Sequence, residues 1–102
     1  MLYHVTFQTD HQALGFGDNR GQVVAAEIER AVAVQQEGRM MGFWARADLG
    51  GVIFVVDAES HGSLMAELQG LPIFPFLRSI DVKPVVAHPQ LPEFGIGRRP
   101  GQ

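Results

Sequence analysis

A chain of 102 residues, 46% hydrophobic and 19% charged, is the size and composition of one globular domain, which excludes a disordered chain. No apolar run approaches the roughly 20 residues that span a bilayer. A formal charge of −3, with Lys83 the only lysine and Arg98-Arg99 the only dense basic pair, argues against nucleic acid as a partner, and zero cysteines exclude disulfides and thiolate chemistry.

Residues 2–8 alternate, with Tyr3, Val5 and Phe7 toward one side and Leu2, His4, Thr6 and Gln8 toward the other; this reads as a strand. Residues 10–21 are polar and glycine-rich, a loop ending in the capping residues Asp18 and Asn19. Residues 22–37 carry Val24, Ile28, Ala31, Val32 and Gln35 at helical spacing, and Gly38 follows as the helix stop. Residues 40–47 form a second strand, Asp48-Leu49-Gly50-Gly51 a hairpin turn, and residues 52–56 a third strand apolar enough to be central. Ser60 caps a second helix that runs to about residue 69, with Leu64, Leu68 and Leu71 facing inward and Gly70 ending it. The run Leu71-Pro72-Ile73-Phe74-Pro75-Phe76 is too proline-rich for a helix or central strand and too apolar for a solvated loop. It is a stiff connector that the core or another subunit must cover. Residues 79–86 form a last strand, with Pro84 pointing to an edge or to a strand end.

The order is β-α-β-β-α-β, an α+β, ferredoxin-like subunit. Residues 1–89 form the folded domain. Residues 90–102, rich in proline and glycine, are expected to be an extended or disordered tail that Leu91, Phe94 and Ile96 could anchor on a neighbour. Helices on one side leave a bare sheet face carrying Leu2, His4, Thr6, Trp44 and Arg46. Two such faces packed together would enclose a pocket, so a homodimer or larger homo-oligomer is expected. No basic n-region and apolar h-region open the chain, and a cytoplasmic location fits.

The chain resembles the muconolactone delta-isomerases from Met1 to about Pro89. The resemblance lies in the opening Met1-Leu2-Tyr3-His4-Val5, in Glu27 and Glu29, in Gln35-Gln36-Glu37-Gly38, and in Trp44. It continues through Val55-Val56-Asp57 with Ser60, Leu68, the proline-aromatic connector and His88-Pro89. It implies a dimeric α+β barrel, no cofactor, and a small carboxylated lactone of aromatic catabolism as substrate. Two positions depart from the family pattern: Val24 stands where the family tends to carry a lysine, and the family's Trp-Arg pair is Trp44-Ala45 here, with Arg46 one residue on.

The implied reaction moves a double bond within an unsaturated lactone. It needs a base, charge stabilisation for a dienolate and a cation for the carboxylate. Glu27, mid-helix among apolar residues, is the candidate base; otherwise it is a solvated glutamate paired with Arg30. His4 is a candidate catalytic proton shuttle or carboxylate ligand, or else a buried histidine bonded to a neighbour. Arg46 could hold the anion, or form a salt bridge between subunits. Trp44, Phe54 and Phe76 are candidate substrate walls, or else core or interface residues. The histidines His4, His11, His61 and His88 lack metal-ligand spacing, Gly15-Phe16-Gly17 does not sit in a dinucleotide-binding unit, and no Gly-x-Ser-x-Gly elbow is present. No metal is therefore expected. A related lactone-processing enzyme, such as a dehalogenating variant, belongs to the same reading, and two others stay open: a cofactor-independent monooxygenase or cyclase acting on an aromatic ligand, and a non-catalytic oligomeric binding protein.

Overall fold

The computed structural model describes residues 1–90. The tail residues Leu91, Phe94 and Ile96 lie outside the described residues. The elements are β1 (Leu2–Thr9), α1 (His11–Leu14), α2 (Asp18–Gln36), β2 (Met40–Ala45), β3 (Val52–Asp57), α3 (His61–Gln69), a 3-10 turn (Phe74–Phe76) and β4 (Leu77–Val85). The four strands form one antiparallel sheet in the order β2-β3-β1-β4, so the ferredoxin-like α+β expectation holds. β3 lies inside the sheet, as its apolar run requires, and the proline-bearing β4 lies at an edge, where Pro84 has no outer ladder to break.

Strand alternation sorts the sheet into two faces. Val5 lies opposite Phe54, which lies opposite Phe43. Val5 and Phe54, with Tyr3, Phe7 and Val56, form the helix-side core, joined by Val34 of α2 and by Leu64 and Leu68 of α3, while Phe43 at the sheet margin stays half exposed. Phe7 meets Phe54 edge-on at 5.2 Å, and Phe43 stacks on Phe54 at 5.7 Å. Thr6, Ile53 and Trp44 share a row on the opposite face, as do His4 and Val55. Among the described residues no helix covers this second face.

Several boundaries differ from the sequence reading, among them β4, which begins at Leu77, and three have a clear local reason. Asp10 accepts a hydrogen bond from the Ala13 amide at 3.1 Å, and this starts the short α1 inside the expected loop. Asp18 sits in the first turn of α2 rather than capping it; Gly17 is the cap, so the helix begins four residues earlier than the apolar spacing indicated. β2 stops at Ala45, because the Arg46 amide already bonds the Gly51 carbonyl across the hairpin.

α3 has a capping box in which Ser60 and Ser63 satisfy each other's amides. Gly38 ends α2 at φ +79, a conformation that favours glycine. The connector is covered by the subunit's own core: Ile73 is buried, and Leu71 and Phe76 pack against the same cluster. Among the described residues no helix is long and apolar enough to cross a membrane.

A candidate active-site cleft between α2 and the sheet

Val34 is the one buried residue of α2. Between the rest of this helix and the sheet lies an open cleft of about 1060 Å³. Its helix wall is Val24, Glu27, Ile28, Ala31 and Val32; its sheet wall includes Phe7, Met40, Phe43 and Val52; the β2–β3 hairpin closes one end. The cleft explains an anomaly of burial. Val24 is 39% exposed and Ile28 59% exposed although both belong to the helix's apolar stripe, because they face empty space instead of the sheet. A smaller hollow of about 50 Å³ adjoins it, deeper against Phe54 and Leu68.

Glu27 lines both cavities. Its Oε1 accepts the Ile73 amide at 2.9 Å, so the proline-aromatic connector, 46 residues away in sequence, holds the carboxylate in place. Burial raises the Glu27 pKa above its ordinary value of 4.5, opposed by the Ile73 hydrogen bond and the charge of Arg30. Oε1 is engaged with the backbone, and among the described residues Oε2 has no hydrogen-bond partner and is available to a ligand.

Arg46 also lines the cleft. It lies just past the end of β2, in the hairpin, where strand alternation no longer sets its direction. Its guanidinium meets Asp48 Oδ2 at 2.6 Å. The Asp48 carboxyl is held below its usual range, first by the Gly50 amide and then by Arg46.

Four other sequence candidates are placed elsewhere in the subunit. His4 and Trp44 lie on the far face of the sheet and do not line this cleft; Trp44 is half exposed, with its indole lying over Gly42. Strand alternation separates them from Glu27, since Tyr3, Val5 and Phe43 take the helix side. Phe54 is a core ring at the floor of the small hollow. Phe76 packs on the core, and its carbonyl accepts the Asp10 amide at 2.7 Å.

The cleft also gathers residues that sequence reasoning passed over: His11, Phe16, Arg20, Asp48 and Leu49. Arg20 stands four residues before Val24 and seven before Glu27, on the same face of α2. That spacing is visible in the sequence once the helix is extended back to Asp18. His11 has no such signal, since the short α1 that it opens is docked at the mouth by tertiary contacts. Among the described residues no cluster of His, Cys, Asp and Glu could hold a metal.

Comparison with known proteins gives a consistent picture. The profile of the family described as muconolactone delta-isomerase matches residues 1–91. The muconolactone delta-isomerase of Acinetobacter baylyi is 29% identical over 72 residues, covering 71% of this chain and 74% of that protein. The crystal structure of a muconolactone isomerase superposes with a TM-score of 0.76 at 30% identity, covering 87% of this chain and 92% of that one. The 5-chloro-2-hydroxyhydroquinone dehydrochlorinase of Burkholderia phenoliruptrix, solved with 2,5-dihydroxybenzoquinone, superposes with a TM-score of 0.72 at 13% identity, covering 89% of this chain and 99% of that one. The last shares the fold alone.

Proposed function

We propose, from the premise that this chain belongs to the muconolactone delta-isomerase family, that it is a cytoplasmic, cofactor-free enzyme moving a carbon–carbon double bond within a small carboxylated lactone of aromatic catabolism. The observation that carries this reading is the Glu27 carboxylate, set in an apolar cleft with one oxygen anchored by the Ile73 amide. In the proposed step Oε2 takes a proton from a ring carbon. The electrons of that C–H bond spread into the conjugated lactone as a dienolate, and the same oxygen returns the proton to the other end of the conjugated system. One carboxylate on one face serves both transfers. A carboxyl with a raised pKa is a stronger base when ionised, which narrows the gap to a carbon acid.

Val24 at the family's lysine position leaves the substrate's carboxylate to the arginines of the cleft wall, Arg46 among them. His4 and Trp44 belong in this scheme only through a second subunit. Trp44 and Ile53 on the uncovered sheet face support a face-to-face homodimer, and burial of apolar surface there would stabilise it by about 25 cal/mol per Å². A light-scattering mass equal to one subunit at micromolar concentration would count against the dimer.

The reaction is tested by supplying muconolactone to the purified protein in deuterated water and following the ring protons by NMR. Isomerisation is expected, with deuterium appearing only at the carbon that receives the proton, and there only to the extent that the carried proton exchanges with solvent before its return. No isomerisation by a folded protein would sink the reading. A second reading is favoured by the cleft itself: its size and largely apolar walls also suit an aromatic ligand for a monooxygenase or cyclase. Tighter binding of a bicyclic phenol than of muconolactone would favour it.

A further inference from the structure

We propose that Arg20 is the principal anion-binding residue of this cleft, and that His11 is the positioning residue that aims it. The inference deepens the function proposed above and rests on it only for the ligand's identity, a small carboxylate.

The described residues lining the cleft include two arginines, Arg20 and Arg46. Arg46 is neutralised, because Asp48 Oδ2 sits 2.6 Å from its guanidinium while Asp48 Oδ1 accepts the Gly50 amide at 2.9 Å. Asp48 is therefore committed within the hairpin. Arg20 is held differently. Its Nη1 donates to His11 Nδ1 at 3.2 Å and to the Gly15 carbonyl at 3.3 Å, and its guanidinium lies 5.0 Å above the Phe16 ring. All of these partners are neutral groups. Among the described residues no carboxylate lies within salt-bridge distance of Arg20. The site thus has a guanidinium fixed in plane and position by three contacts, with its charge uncompensated, on the wall of a largely apolar cleft. A carboxylate is the ligand that such a group recognises, by a two-pronged, charge-assisted hydrogen bond.

The tautomer of His11 follows from its partners. Nε2 lies 2.8 Å from the Leu49 carbonyl, which can only accept, so Nε2 carries the hydrogen. Nδ1 of the neutral ring is then an acceptor, the role that an arginine N–H requires. His11 in this way ties the start of α1, the start of α2 and the tip of the hairpin together around the cleft mouth.

Distance supports the assignment. Arg20 and Glu27 share one face of α2, seven residues and about 10 Å apart along its axis. A five-membered lactone with a short carboxylate arm fits between them, with the arm at Arg20 and the ring at Glu27. Val24, between the two, offers an apolar surface to the ring.

The test uses the full chain and two probes, the saturated analogue of muconolactone as its free acid and as its methyl ester, with binding measured by calorimetry. The wild type is expected to bind the acid at least about tenfold more tightly than the ester, the effect of one hydrogen-bonded charge pair. Arg20→Gln keeps donors for His11 and Gly15 but removes the charge, and should erase most of that preference. Arg20→Lys should retain part of it, and Arg46→Ala should change it less than Arg20→Gln does. His11→Phe, which has no acceptor, should weaken acid binding and raise KM on muconolactone with little change in kcat. His11→Asn, which restores an acceptor near Nδ1, should recover much of the loss. An acid-to-ester preference unchanged in Arg20→Gln overturns the proposal, and so does a wild type that binds neither probe or does not distinguish them. Acid preference lost in Arg20→Gln without any turnover of muconolactone would sink the proposed reaction but keep the anion site. Turnover with the preference unaltered would do the reverse.

Discussion

Replacing Glu27 separates its chemical role from its structural one, because its two oxygens do different things. Oε1 accepts the amide of Ile73, a buried residue of the connector. Glu27→Gln keeps an oxygen there and removes the charge; Glu27→Leu removes both. A hydrogen bond to a charged acceptor contributes about 1.5–3 kcal/mol and one to a neutral acceptor about 0.5–1.5, so the glutamine loses roughly 1 kcal/mol on that bond. It recovers a similar amount by no longer holding a carboxylate in an apolar cleft, and its net change at neutral pH should lie within about 1 kcal/mol. The leucine leaves the Ile73 amide without an acceptor and should cost about 1–3 kcal/mol.

The pH dependence has a definite sign. Burial raises the folded-state pKa of Glu27 above 4.5, so between 4.5 and the folded value the native state binds more protons than the unfolded one. The wild type should therefore lose stability relative to Glu27→Gln as pH rises through that window, with a constant difference on either side. Activity moves the opposite way. The base works only when ionised, so the rate should fall as pH drops through the raised pKa, and Glu27→Gln should reduce turnover about 100- to 10,000-fold above that pKa and by less below it. Urea denaturation at several pH values, with isomerase rates on the same samples, reads all of this. Retention of turnover by Glu27→Gln would refute the assignment of the base. Equal destabilisation by Gln and Leu would refute the role given to Oε1.

Three further outcomes are expected. Arg46→Ala should raise KM more than it lowers kcat, measured in steady state, and should also let the Asp48 carboxyl titrate closer to its ordinary value by NMR, since one of its lowering partners is gone. Gly51→Ala should destabilise by about 1–3 kcal/mol in chemical denaturation, because a Cβ there would overlap the Phe7 carbonyl, a backbone atom with no room to yield. Leu49 has φ +62 at the hairpin tip and is 78% exposed, so Leu49→Asn should raise the melting midpoint by an amount equivalent to about 0.5–1 kcal/mol, with the His11 contact to the residue-49 carbonyl retained.

Much of the fold could be read along the chain because its signals are local. Alternation in β1 assigned Tyr3, Val5 and Phe7 to one side, and Ser60, Gly38 and Pro84 marked a helix start, a helix stop and an edge strand by chemistry that acts within a few residues. The early start of α2 escaped, because Gly17 caps without a side chain and residues 18–21 contribute nothing to the apolar stripe. Arg20 was lost with them.

The sequence by itself determined which side chains share a face, since covalent geometry makes strand residues alternate and helix residues return every three to four positions. It placed Glu27 with Val24, Ile28 and Ala31, and His4 away from Tyr3 and Val5. Only the tertiary structure decided where the empty space lies. The bare far side of the sheet looked like the pocket wall, yet the subunit's own cleft opens on the helix side, where Val34 alone of α2 is buried. Periodicity orients a side chain but does not say how closely two packed elements approach. Nor does it bring His11 to Arg20 or the Ile73 amide to Glu27, because those contacts depend on how separate segments dock, and docking is decided by the packing of the whole core.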